Sequence, residues 1–343
     1  MDIKHKRFNR IAGYTLLELM IAMVVGLFLI GGVMFTYLSM KVTTSDTVEM
    51  GELQETGRIA LDILGKEITM AGFFGRAKAD SIAFSEVGAV TAPATDCTEG
   101  PNNGSFPNPG VGTNFRVLYG SVVPENSTNA LTCIDDAVGG SDVIQIKRAS
   151  GTDVSGSGTD GNQFYVETTL GSARFVTGGS TAVDLTGTNV WPYNHSVYYV
   201  SEQNYTRGDK NISVPVLMRK RLTVSTGIVS ESVLEGVENI RFLYGLDQNG
   251  NGDVDVYRDA TQMTPADWEQ SGTTKIKTVQ VSVLVRAAEE DANIQLTNKT
   301  YVLGGDAAGT QRSLTFTDNY RRMVFVSTFK VNNSGGDQWL IAI

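Results

Sequence analysis

Gly13-Tyr14-Thr15-Leu16-Leu17-Glu18-Leu19-Met20 opens an apolar run that continues past Phe35, and the rest of the chain is read outward from it. Lys4, Lys6, Arg7 and Arg10 precede the run, and between residues 14 and 40 Glu18 is the single charge. A secretory signal carries its cleavage site after the apolar segment, so that segment is discarded. Here the small residue comes first. A cut after Gly13 removes the basic leader and leaves a chain that starts with Tyr14 at the head of a membrane helix, with Glu18 as its fifth residue. A carboxylate in a bilayer costs about 2.5–3.5 kcal/mol on insertion scales and usually has a partner and a function. No Lys, Arg or His lies between residues 14 and 40, so the sequence predicts a partner from elsewhere. Without one, the group would tend to take up a proton. The plainer reading is a signal-anchor helix, which leaves the carboxylate unexplained.

These residues resemble the type IV prepilin signal: a glycine, an aromatic, then Thr-Leu-hydrophobic-Glu and a long apolar helix. The match runs through Gly13, Tyr14, Thr15, Leu16, Leu17 and Glu18, with Tyr14 where Phe is commoner. The resemblance implies cleavage between Gly13 and Tyr14 by the prepilin peptidase, and methylation of the new amino terminus. It also supplies the missing partner of Glu18, the freed amine of a neighbouring subunit.

The chain has 343 residues and a formal charge of −9. Asp2 against the four cations gives the leader +3, so the cleaved chain would carry −12. So acidic a surface argues against nucleic acid as a partner. The basic leader reads as the cytoplasmic flank of a membrane helix. Residues beyond Met40 are then expected outside the cytoplasm, with the protein a single-pass component of the bacterial inner membrane and its head in the periplasm. In that compartment Cys97 and Cys133 are expected to pair, which would stabilise by roughly 3–4 kcal/mol in the chain-entropy account. Two free thiols are the alternative.

No proline occurs from Tyr14 to Pro93, which permits one long helix. Gly26, Gly31 and Gly32 are its weak points, serving either local extension or close packing of helices. After Met40 the pattern turns amphipathic. Leu53, Gly57, Ala60, Leu64, Ile68 and Ala71 follow at spacings of four and three, one face of a helix that Gly72 and Gly75 are expected to end. Asp62 and Lys66 stand at i and i+4 on the solvated face. The predicted organisation is a leader over 1–13, a transmembrane helix over 14–40, an amphipathic continuation over 41–75 and a β-rich head over 76–343.

Strands are predicted at 115–119, 142–148, 163–168, 196–201, 214–218, 240–244, 276–287 and 323–331. In the 276–287 strand Val279, Val281, Val283 and Val285 alternate with Gln280, Ser282, Leu284 and Arg286, which predicts one buried face. Such strands make an antiparallel sheet able to cover the amphipathic face of the helix, an α+β plan. The Pro, Gly, Asn and Thr content of 90–130 and the stretch 149–190 read as irregular insertions.

The sharpest chemical motif is Asp247-Gln248-Asn249-Gly250-Asn251-Gly252-Asp253-Val254-Asp255. Asp247, Asn249, Asn251, Asp253 and Asp255 occupy positions 1, 3, 5, 7 and 9 of a calcium loop, with Gly252 at position 6. Position 12 carries Arg258 in place of the bidentate Glu, and strands flank the loop where an EF-hand has helices. The two readings are a Ca2+ site in a hairpin loop and an Asn/Gly-rich turn that needs no ion. Asp259 could stand in for the missing ligand only in a different loop geometry. No cofactor is otherwise required. Gly156, Gly158 and Gly161 spell G-x-G-x-x-G, but a strand is predicted where a dinucleotide site needs a helix. His5 lies in the leader, and His195, in a Pro/Tyr/Asn context, reads as a surface residue. No catalytic set emerges.

Residues 237–245, the acidic loop, Trp268 and 276–283 resemble the C-terminal half of PilW-type minor pilins, and more loosely the GspJ-type pseudopilins of type II secretion. The resemblance implies a non-enzymatic minor pilin that joins other minor pilins and the major pilin in a complex at the pilus tip, which primes growth and can hold a large adhesin. The alternatives are a type II secretion pseudopilin and a membrane-anchored, calcium-dependent adhesive module.

Overall fold

The computed structural model describes residues 13–77, 86–87, 90–155, 158–169, 173–179, 188–207, 210–291, 294–305 and 309–333. The described chain divides into two compact units, 1–52 and 53–343.

Helix α1 (Leu16–Thr69) is a single element of 54 residues. In the first unit its apolar side chains are exposed, from Leu16 through Phe35 to Met40. In the second unit Leu53, Gly57, Ala60, Leu64, Gly65 and Ile68 are buried, the face that the spacing predicts. The helix ends at Thr69, before the glycines expected to end it. Met70 to Gly72 form a turn, and Gly72 (φ +72°) and Gly75 (φ +63°) take left-handed conformations beyond the helix.

The head holds β1 (Glu86–Val87), β2 (Leu118–Val122), β3 (Asp142–Ala149), β4 (Phe164–Thr168), β5 (Ala173–Thr177), β6 (Asn189–Arg207), β7 (Lys210–Thr223), β8 (Gly227–Glu235) and β9 (Val237–Asp247). Then come β10 (Val256–Arg258), the short helix α2 (Pro265–Glu269), β11 (Lys275–Arg286), β12 (Lys299–Leu303), β13 (Arg312–Phe316) and β14 (Arg322–Lys330). Among the described residues there are two sheets, plus a hairpin, in place of the one expected. Eight strands form the larger sheet, with β1-β5-β4-β6-β3-β2 in order and β7 and β8 continuing from β6. The smaller sheet runs β10-β9-β11-β14, and β12 pairs with β13.

The smaller sheet carries the helix. Val279, Val281, Val283 and Val285 of β11 are each 1 % exposed or less and share one core with Leu53, Ala60, Leu64 and Ile68. Helix and sheet approach closely at Gly57 and Gly65. A Cβ there would stand 2.2 Å from the Phe325 ring and 2.3 Å from the Phe329 ring, so glycine is required by the contact. The opposite face of β11, about which the alternation says nothing further, is also covered. Ser282 and Leu284 are buried, and the turn after β12 donates from the Gly304 N–H to Ser282 Oγ.

Two further differences come from residues distant in sequence. The stretch 149–190, read as irregular around the strand expected at 163–168, contains β5 as well as that strand, β4, and their Phe164 and Phe175 join Phe74, Phe106, Phe115 and Tyr193 in a second, aromatic core. Residues 115–119 are extended only from Leu118 onward, and β8 has no counterpart among the predicted strands. Its outer residues are half exposed, so alternation is weak where packing is one-sided.

Candidate functional site: the helix start, and the loops that resemble sites

At the N-terminus residues 13–15 are not helical, and α1 begins at Leu16. Tyr14 is 88 % exposed, and a Cβ on Gly13 would meet nothing within 4 Å, so the 13–14 peptide bond precedes the helix at an open position. The leader residues 1–12 lie outside the described residues.

Thr15 and Glu18 cap each other. Glu18 N–H donates to Thr15 Oγ1 at 3.3 Å, and Thr15 N–H donates to Glu18 Oε2 at 3.3 Å. Glu18 therefore has a local hydrogen-bond partner, which is not the countercharge expected from elsewhere. The signal was in the sequence, because Thr15-x-x-Glu18 has the spacing of a capping box. A neutral amide stabilises a carboxylate without cancelling its charge. Further along the exposed helix, Thr36 and Thr43 turn their hydroxyls onto the carbonyls of Gly32 and Ser39, at 3.0 and 2.9 Å. That satisfies polar side chains within the helix itself. Among the described residues α1 is the one helix long and apolar enough to cross a membrane, by length and composition.

Cys97 and Cys133 form the expected disulfide, with Cα atoms 4.8 Å apart. The loop it closes covers the polar face of β3. Ser105 donates from its N–H and its Oγ to the Asp96 carboxylate, at 2.7 and 2.6 Å. Its Oγ also lies 2.9 Å from His195 Nδ1, and His195 Nε2 lies 2.7 Å from Gln145 Nε2. With the Ser105 proton on Asp96, the network assigns the imidazole proton to Nδ1 and makes Nε2 the acceptor of the Gln145 amide. The serine proton thus points away from the histidine, opposite to what a nucleophile needs. His195 is fully buried on β6, which corrects the surface reading. Lys147 beside it is also fully buried, and its Nζ donates to Asn103 O and Oδ1 at 3.0 Å and to Arg116 O at 2.7 Å. Burial holds the proton affinities of both His195 and Lys147 well below their ordinary values, and the charge of Lys147 adds to the effect on His195. This cluster is a hydrogen-bonded polar core beneath a loop, with Gln145 Oε1 left without a partner, and sequence reasoning missed it. The alternation of Ile144 and Ile146 with Gln145 and Lys147 gives no warning that the polar face is roofed.

The 247–255 loop is a set of turns closed on themselves. Asp247 accepts from Gly250 N–H at 2.7 Å and Gly252 N–H at 2.9 Å, and lies 3.7 Å from Lys277 Nζ. Burial opposes ionisation of Asp247, but those backbone bonds and Lys277 bring its pKa below the usual carboxylate value. Asn249 Oδ1 accepts from Asn251 N–H, and Asn251 Oδ1 from Asp253 N–H, each at 2.9 Å. Asp255 accepts from Gln248 N–H at 2.7 Å. Among the described residues no three His, Cys, Asp or Glu side chains gather as a metal-holding group. Arg258, at the twelfth position, pairs with Asp267 at 2.9 Å, and Asp259 pairs with Arg241 at 2.5 Å, so neither is free to complete a site. Of the glycine motif, 156–157 lie outside the described residues. The strand β4 follows it as expected.

Residues 197–333 match the family described as type IV pilus-assembly protein W, and residues 8–34 match the prokaryotic N-terminal methylation motif. No curated protein and no solved structure matches the chain. The two matched regions are those singled out by sequence: the helix start with Gly13 and Glu18, and the C-terminal half of the head.

Proposed function

We propose that this chain, a type IV pilus-related pilin with a PilW-type head and a methylation-type N-terminus, assembles with other minor pilins into a pilus-tip complex that primes filament growth. Processing by the prepilin peptidase and contact with other pilins follow from the class of protein. Cleavage at Gly13–Tyr14, a periplasmic head and a final position at the pilus tip, where a large adhesin could be held, are parts of the proposal.

The observation that carries it is the first part of α1. From Leu16 to Met40 its large apolar side chains are exposed, and Glu18 is the one charge among them. Lipid covers such a surface, and so do the helices of other subunits. Only the second environment supplies a cation. Within one chain Glu18 accepts from the Thr15 N–H, whereas the freed Tyr14 amine of a neighbouring subunit would supply an opposite charge. The bilayer penalty of about 2.5–3.5 kcal/mol on a lone carboxylate thereby becomes a driving force for assembly and a check on register. A head of this size would block addition of a further subunit above it.

Glu18→Ala tests this. The variant is expected to be cleaved normally and to be absent from sheared pili, with piliation reduced. Normal incorporation of the variant would rule out the mechanism.

A further inference from the structure

A lysine is almost never fully buried unless a carboxylate pairs with it. Lys147 of β3 is 0 % exposed, and among the described residues its Nζ is held by carbonyl oxygens: Asn103 O and Oδ1, each at 3.0 Å, and Arg116 O at 2.7 Å. The Phe115 ring covers a further side, with its centroid 4.8 Å from Nζ. Removal from water penalises the ammonium against the amine. Burial therefore holds the proton affinity of Lys147 well below its ordinary value; the Asp96 charge opposes that effect and the Arg116 charge adds to it. The unprotonated amine is the nucleophilic form of lysine, and a desolvated pocket is one of the ways in which proteins produce it.

What this amine meets is a carboxamide fixed at both ends. Asn103 is 1 % exposed, its Nδ2 donates to Glu99 O at 3.2 Å, and its main-chain O accepts from Gln145 Nε2 at 3.2 Å. The bond from Lys147 Nζ to Asn103 Oδ1 polarises the carbonyl, and the electrophilic Cγ lies one C=O bond, about 1.2 Å, beyond that oxygen. Holding two groups this close replaces an encounter in solution by a step within one site. Neighbouring contacts keep the loop in place: the Cys97–Cys133 disulfide anchors it, and Ser105 bonds to Asp96 within it. Water, which would compete for the same carbonyl, is excluded with the rest of the solvent.

We propose that Lys147 and Asn103 join through an intramolecular amide, a second covalent tie between the loop and β3. The lone pair of Nζ attacks Asn103 Cγ, the Nζ–Cγ bond forms and the Cγ–Nδ2 bond breaks. A proton lost from Nζ passes to the departing nitrogen, which leaves as ammonia. Nothing is oxidised or reduced, and no co-reactant is consumed. The product keeps one N–H on Nζ to donate to Arg116 O, and it removes a charge from the core. Burial, the larger of the two influences on His195, still holds the proton affinity of that residue down once the charge has gone. Unlike the disulfide, this tie survives a reductant.

Mass spectrometry of the full-length protein, purified from membranes in detergent and reduced, tests this. The native chain should be lighter than its sequence by one ammonia, and Lys147→Met and Asn103→Ala should each show no such deficit. After reduction, trypsin should release residues 79–116 and 117–148 as one joined species, because an acylated Lys147 is not cut; an unlinked chain gives 79–116 and 117–147 apart. A native chain without the deficit would overturn the proposal. Loss of ammonia with the two peptides separate would overturn it as well, since ring closure by the Gly104 amide nitrogen onto the same carbonyl gives that result. The native protein decides the matter alone, so misfolding of either variant leaves the test intact.

Discussion

One helix in this molecule serves two solvents. From Leu16 to Met40 it carries large apolar side chains on every side, and Leu27 and Phe28 are 70 and 79 % exposed. From Leu53 to Ile68 its apolar residues occupy one face, and Leu64 and Ile68 are wholly buried against the smaller sheet. The carboxylates differ in the same way. Glu67 is gripped by the Arg148 guanidinium through two bonds of 2.7 and 2.9 Å, whereas among the described residues Glu18 bonds to Thr15. The head half is complete within the chain. The other half is chemically unfinished, and its missing contacts define what it must meet.

The sharpest way to break this contrast is to shorten a leucine in each half. Leu64→Ala removes a fully buried side chain from the shared core and is expected to cost the head about 3 kcal/mol in denaturant unfolding. Leu27→Ala should change head stability by less than about 0.5 kcal/mol. A similar loss from both would break the contrast between the two halves.

The glycines sharpen the contrast next. Gly57→Ala drives a methyl into the Phe325 ring, an overpacking expected to cost about 1–3 kcal/mol. At Gly31 a Cβ meets nothing within 4 Å, and alanine should strengthen the helix by about 1 kcal/mol while leaving the head untouched. Thermal melts of the two variants in detergent should therefore move in opposite directions, or only the first should move.

Much of this division is legible in the sequence, because both halves of α1 are governed by contacts that recur along a single segment. The apolar run to Met40 and the spacing from Leu53 to Ile68 each follow from local periodicity, as does the phase of Val279 to Val285. The two cysteines could be paired from their compartment alone. What escaped reading was set by residues far apart in the chain. His195 is buried because the loop at 96–105 lies over it, and Gln145 and Lys147 sit beneath that loop although their alternation marks a wet face. The helix end moved from the glycines to Thr69, since Gly72 and Gly75 shape the exit and not the last helical turn. Division of the strands into two sheets likewise depends on which face each strand turns to a distant partner.

That roofed cluster gives the head a pH response that the exposed helix should lack. His195 is the one histidine outside the leader, and its pKa in the folded protein lies well below the ordinary 6.5 because of burial and the Lys147 charge. The unfolded chain takes up a proton below about pH 6.5 that the folded one refuses, so stability is full above that pH and falls as pH drops. The expected slope is about 1.4 kcal/mol per pH unit at most. In His195→Gln the part of the slope between pH 6.5 and 5 should vanish, whereas the helicity of the N-terminal half should not change with pH in either protein. An unaltered slope in the variant would assign the proton uptake elsewhere.

The smallest effect is expected at the acidic loop, and it contrasts with the disulfide-closed one. The 96–105 segment is bonded to β3 and β6 beneath it, while 247–255 is held mainly by its own backbone amides, with Lys277 beside Asp247. Asp247, Asn249, Asn251 and Asp255 already accept these N–H groups, and the pairing of Arg258 and Asp259 elsewhere removes a twelfth-position ligand. We therefore propose the turn that needs no ion. Millimolar Ca2+ should leave the melting temperature of the head unchanged, in the native chain and in Asp253→Ala alike. A rise of several degrees in the native chain, lost in Asp253→Ala, would restore the calcium site and give this end of the head a ligand-dependent rigidity.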